Sequence, residues 1–129
     1  VELPLDELLS SCDVVCICCP LNDDSKGMLN KDRLSLMKKD AILVGTTWDV
    51  VVLDDLISAL KNGYLFGAGF DVAIEGGEIA LPEAFTELQN IVLTPHIGYN
   101  TAEAKVRQVD ICIDNIEAFK NGKPINIIN

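Results

Sequence analysis

Four short apolar runs recur along the chain with helical patterns between them: Val14 to Cys18, Ala41 to Val44, Leu65 to Val72 and Ile91 to Leu93. Strands with one wet face alternate apolar and polar residues, whereas an unbroken apolar run signals cover on both faces. Unbroken runs that alternate with helices predict a parallel sheet between two helical layers, an α/β three-layer sandwich. Ligands of such sheets bind beyond the carboxyl ends of the strands. Segments 19–25, 46–50, 71–78 and 94–99 therefore carry the functional expectation.

The intervening patterns read as helices. Leu5 to Ser11 is a short helix end. Asn30 can cap a helix that starts near Lys31 and carries Leu34, Leu36 and Met37. Asp54 to Asn62 places Leu56, Ile57 and Leu60 on one face, with Gly63 suited to the C′ position. Asn100-Thr-Ala-Glu103 has the form of a capping box opening a long helix. Val109, Cys112, Ile113, Ile116 and Phe119 give that helix an apolar stripe, and Gly122 ends it. Residues 73–90 read as irregular and 122–129 as an extended tail.

A chain of 129 residues is the size of one domain, able to bury about two thirds of its unfolded surface. Twenty acidic against ten basic residues leave a net charge of −10. Such a surface repels phosphate backbones and anionic lipid, which argues against nucleic-acid and membrane-surface roles. No apolar run reaches the ~20 residues of a membrane span. A basic, apolar leader is lacking and the first residue is Val1, so the expectation is a processed product or a piece of something longer.

Cys12, Cys16, Cys18, Cys19 and Cys112 make five thiols, and Cys16 to Cys19 spell a C-x-x-C. A redox dithiol needs that motif at a helix N-terminus, whereas here it lies in a β-prone run. A zinc site needs four ligands, and His96 is distant in sequence. The cysteines are therefore expected to be buried strand residues with no metal, reduced as suits a cytoplasmic protein.

The segments at the strand ends resemble the D-isomer-specific 2-hydroxyacid dehydrogenases. The resemblance rests on Leu5-Asp-Glu-Leu-Leu9 with Cys12-Asp-Val-Val15, and on Pro20-Leu21 with Ser25-Lys-Gly-Met-Leu-Asn30. It continues through Leu36-Met-Lys38, Gly67-Ala-Gly-Phe-Asp-Val72, Leu93-Thr-Pro-His-Ile-Gly98 and Asp114-Asn-Ile-Glu-Ala-Phe119. It implies the second half of a Rossmann-like NAD-binding domain over 1–121, with 122–129 leading back toward a substrate domain. The G-x-G-x-x-G turn that cradles pyrophosphate is missing. The only G-x-G, Gly67-Ala-Gly69, reads as close backbone packing in a strand.

The resemblance also implies roles. His96 matches the family's proton-exchanging His, whose near-neutral intrinsic pKa suits transfer in both directions. Its supporting carboxylate falls on Glu78 or Glu75. Asp71, Cys18, Cys19, Pro20, Thr46, Thr47 and Gly98 map beside the cofactor, with His96 at the nicotinamide. The implied cofactor is NAD, with NADP not separated from it, and the implied substrate is a small 2-hydroxy or 2-oxo acid. A homodimer is implied for the intact protein. The departure is Trp48 in Gly45-Thr-Thr-Trp48, where the family places a carboxylate-binding Arg. An indole cannot make the forked pair of a guanidinium, and Arg33 and Arg107 both lie on expected helices. An impaired, NAD-sensing or interaction module is therefore an alternative reading, and the 129-residue chain alone is expected to be inactive.

Overall fold

The computed structural model describes residues 2–72 and 83–128 and forms two compact units, Val1–His96 and Ile97–Asn129. The first unit holds α1 (Leu5–Ser11), β1 (Val14–Ile17), α2 (Lys31–Leu34), β2 (Ile42–Gly45), α3 (Leu53–Lys61), β3 (Gly67–Asp71), α4 (Glu83–Thr86) and β4 (Ile91–Thr94). The strands form one parallel sheet in the order β1-β2-β3-β4. Register pairs Val14 with Ile42, Ile42 with Gly67 and Asp71 with Thr94. The class is Rossmann-like α/β, as the apolar runs indicate.

Consecutive strand order joined by right-handed crossovers sends successive helices to one side of the sheet. The core lies there. Leu9 of α1, Leu34 of α2, Leu56 and Leu60 of α3 and Phe85 of α4 pack with Val15, Ile17, Leu43, Ala68 and Phe70 of the strands. Each fully buried Leu or Phe contributes about 1.5–3 kcal/mol.

Cover on both faces was the expectation, and the described residues of this unit provide it on one. Val14 is 57% exposed and Val44 37%, alternating along their strands with buried neighbours, and Val92 is 66% exposed between half-buried ones. Unbroken apolar sequence could not reveal this, because valine and cysteine serve an open face as readily in composition as a closed one. The cysteine expectation falls with it. Cys16 and Cys18 are exposed, as is Cys112, and Cys12 and Cys19 are half-buried.

Glycine marks two tight places. A Cβ on Gly45 would lie 3.2 Å from Ile17 Cβ and 3.1 Å from the Phe70 ring. One on Gly67 would lie 3.2 Å from the Asn90 carbonyl, in keeping with close backbone packing.

Helix ends follow the sequence with adjustments. The Asn30 side chain accepts from Arg33 N–H at 3.1 Å, but α2 is a single turn and Leu36 and Met37 lie beyond it. After α3, Gly63 has φ 65°, and Tyr64 N–H donates to the Ala59 carbonyl at 2.9 Å, a Schellman closure.

The second unit is α5 (Ala102–Lys120) with its flanks. Its cap is Thr101, whose hydroxyl accepts from Ala104 N–H at 3.1 Å, one residue later than the Asn100 capping box would place it. Gly122, at φ 68°, closes it as expected. Among the described residues, no helix is long and apolar enough to cross a membrane.

Candidate functional site

Parallel strands of equal polarity bring their carboxyl ends to one rim. Cys18, Cys19 and Pro20 follow β1 there, Thr46 to Trp48 follow β2, Asp71 ends β3 and Thr94 ends β4. Neighbouring strands lie about 4.8 Å apart, so residues on adjacent strand ends share a site and β1 stands about 14 Å from β4.

The β3–β4 register sets Asp71 opposite Thr94. The Thr94 hydroxyl donates to Asp71 Oδ1 at 2.5 Å, and both residues are half-buried. Thr94 also gives its carbonyl to two donors, Val72 N–H and His96 N–H, each at 3.0 Å. The second bond closes a three-residue turn around Pro95, whose fixed φ suits an inverse γ-turn and which has no N–H to extend the ladder. His96 then takes φ 52°, the left-handed region. Such a conformation costs on the order of 1 kcal/mol for a residue other than glycine and is held by its surroundings. The His96 side chain is exposed. His96 and Asp71 therefore sit on one rim of one sheet, at adjacent strand ends.

Trp48 is half-buried and stacks on Phe85 of α4, ring centroids 6.4 Å apart and planes at 15°. The indole occupies the end of β2 as a packing residue. Arg33 donates to Asp6 at 3.2 Å and to the Met28 carbonyl at 2.9 Å. Arg107 lies on α5 in the second unit. Thr46 is exposed and Thr47 half-buried. Gly98 is exposed in the second unit. Glu75 and Glu78 fall outside the described residues.

Two residues of this rim were quoted in the sequence only as parts of motifs. Thr94 is one, as the partner of Asp71. The other is Ser25, the only buried polar residue described. Its hydroxyl donates to the Pro20 carbonyl at 2.8 Å and accepts from Asn22 N–H at 2.9 Å, while Asn22 Oδ1 accepts from Asp24 and Ser25. Asn at the first position of a turn, followed three residues later by Ser, signals this self-bonded loop. It fixes the chain just beyond β1.

Among the described residues no group of three or more His, Cys, Asp or Glu side chains could hold a metal ion.

The profile described as D-isomer specific 2-hydroxyacid dehydrogenase, NAD binding domain, matches residues 1–98. The chain belongs to this family. It is 42% identical over 128 residues to a glyoxylate reductase of Pyrococcus furiosus, covering 98% of this chain and 38% of that protein. To a hydroxypyruvate reductase of Blautia hydrogenotrophica it is 35% identical over 126 residues, covering 97% of this chain and 39% of that one. Among solved structures, a D-isomer specific 2-hydroxyacid dehydrogenase from a Polaromonas species superposes with a TM-score of 0.83 at 35% identity, over 98% of this chain and 40% of its own. An acyclic imino acid reductase in complex with NADPH and D-Arg gives a TM-score of 0.86 at 31% identity, again over 98% and 40%. The chain thus spans about two fifths of the length of the relatives it matches.

Proposed function

We propose that this chain is the nicotinamide-side half of the NAD-binding domain of an oxidoreductase that moves a hydride between nicotinamide and a D-2-hydroxy acid or its 2-oxo acid. The domain portion is residues 1–121, with 122–129 returning toward a substrate domain. What supports the reading is the β3–β4 register, which pairs Asp71 with Thr94, two residues before His96, at the carboxyl rim of a sheet of this family. NAD is the proposed cofactor and NADP the second candidate. Solved relatives in complex with NADPH and in an NAD-complexed form support both.

The residues suit one end of such a cofactor. Asp71, held by Thr94, offers a fixed acceptor to an amide N–H of a carboxamide. Cys18, Cys19, Pro20, Thr46 and Thr47 of the same rim, and Gly98, are the further proposed cofactor contacts, through backbone and small side chains. When bound, a nicotinamide ring supplies or accepts the hydride. His96 gives or takes the hydroxyl proton of the substrate. Glu78, or else Glu75, is the proposed supporting carboxylate of His96. Trp48 flanks the substrate end without the ion pair an Arg would give. The intact protein is proposed to be a cytoplasmic homodimer acting on a small molecule.

The test uses the intact protein that carries this chain, assayed for NADH oxidation with glyoxylate and hydroxypyruvate. His96→Asn should lower kcat about 10²–10⁴-fold while NADH still binds. Undiminished turnover by that variant would remove the proposal's footing. Turnover absent from the parent protein despite NADH binding would show a module that only senses the dinucleotide.

A further inference from the structure

The thiols of Cys16 and Cys18 lie 3.5 Å apart on the open face of the sheet, both exposed. Alternation explains the pairing: Cys18 directly follows β1, and residues two apart along extended chain share a face, whereas Cys16 and Cys19 of the C-x-x-C do not. From this geometry we infer that Cys16 and Cys18 form a preset chelating dithiol for a soft, trivalent, thiophilic centre of the arsenical class.

The spacing selects the ligand. Bonds of about 2.3 Å from one centre to two sulfurs, at angles between a right angle and tetrahedral, separate the sulfurs by about 3.3–3.8 Å. The observed 3.5 Å lies inside that window with no movement of the strand. A disulfide fits less well. An extended chain carries Cα atoms two residues apart about 6.6 Å from each other, near the upper limit for a disulfide, and the sulfurs would have to close to about 2.05 Å. A tetrahedral zinc ion fits less well too. It wants four protein ligands, and among the described residues no third thiol, imidazole or carboxylate joins the pair. An organoarsenic(III) centre is satisfied by two sulfurs and its own substituent.

The reaction balances without an oxidant. An arsenoxide, R–As=O, and two thiols give R–As(S–)2 and one water. Two S–H bonds and the arsenic–oxygen bond break, two As–S bonds and the O–H bonds of water form, and arsenic stays trivalent. The hydrogen bond shared with Cys18 raises the Cys16 pKa above the ordinary thiol value, with burial adding to it. The two thiol protons leave as water. The pair shares Cys18 with the proposed cofactor rim, but its test reads thiols and mass without cofactor, so its outcome is separate from that of the dehydrogenase reading.

Phenylarsine oxide titrated into the 129-residue chain is the test, read by intact mass and by counting reactive thiols. The expected product is one phenylarsenic per chain with two thiols lost, reversed by a small dithiol and not by an equal concentration of monothiol. Cys16→Ser and Cys18→Ser should each abolish the dithiol-specific adduct, and Cys12→Ser and Cys112→Ser should leave it. Both sites are exposed, so folding should persist, and a circular dichroism melt checks it. Retention of the adduct in Cys16→Ser, one thiol lost per arsenic, or arsenic shared between two chains would each overturn the assignment.

Discussion

Thr94→Val tests the link between strand register and the candidate site. The substitution keeps the shape and β-branching of the side chain and removes its hydroxyl. What is lost is one hydrogen bond, Thr94 Oγ1 to Asp71 Oδ1 at 2.5 Å. A hydrogen bond to an ionised group contributes about 1.5–3 kcal/mol when buried. Both partners are half-buried, so water replaces part of it and about 1–2 kcal/mol is the expected loss. With a urea m-value of about 2 kcal/mol per M, the midpoint should fall by about 0.5–1 M at unchanged slope. Thr94→Ser supplies the control, because it restores the donor and removes only a methyl group. Serine should therefore recover most of the loss. If valine left the midpoint within about 0.2 M of the parent, or if serine lost as much as valine, the claim that this hydroxyl anchors Asp71 would be refuted.

Other perturbations read other contacts. Gly45→Ala places a methyl 3.1 Å from the Phe70 ring and 3.2 Å from Ile17 Cβ; overpacking of this kind should cost about 1–3 kcal/mol, measured by chemical denaturation. Trp48 and Phe85 should show a coupling of about 0.5–1.5 kcal/mol in a double-alanine cycle, as stacked rings do; zero coupling would end the packing explanation of Trp48. Lys61 Nζ donates to Glu87 at 2.9 Å and holds that carboxyl below its ordinary pKa. A depressed carboxyl stabilises the fold above its unfolded pKa, and that contribution disappears as pH falls through the folded value. Lys61→Ala should therefore raise the Glu87 midpoint in an NMR titration, and an unmoved midpoint would deny the pair.

The strands were legible because each is an unbroken apolar run, and their ends fell within one to two residues of the runs. The rim was legible for the same reason, since carboxyl ends follow from parallel strands. Side-chain partnership was less so. Thr94 reaches Asp71 across 23 positions of sequence, and only the register makes them neighbours. Trp48 finds Phe85 by the same tertiary route. The buried-cysteine expectation failed because β-propensity marks a strand and not which of its faces is covered. The cap of α5 moved from Asn100 to Thr101 because two adjacent residues can each cap, and local pattern does not rank them.

The same reasoning explains which end of a dinucleotide the chain can serve. Pyrophosphate is held by free backbone N–H groups at a helix N-terminus or by positive charge. Here the N-terminus of α2 is taken by the chain's own side chains, and that of α3 carries acidic residues in its first turn. Asn30 accepts from Arg33 N–H, Lys31 N–H donates to Asp55 Oδ2 at 2.8 Å, and Asp54 and Asp55 fill the first turn of α3. Carboxylates in that position use the helix dipole and repel a second anion. A net charge of −10 adds to the repulsion. The oxidised nicotinamide ring is cationic, and a carboxylate fixed at the end of β3 attracts it instead. Acidic helix starts and an anchored Asp71 thus support the proposal that this rim takes the ring end of the cofactor, its phosphates being held elsewhere.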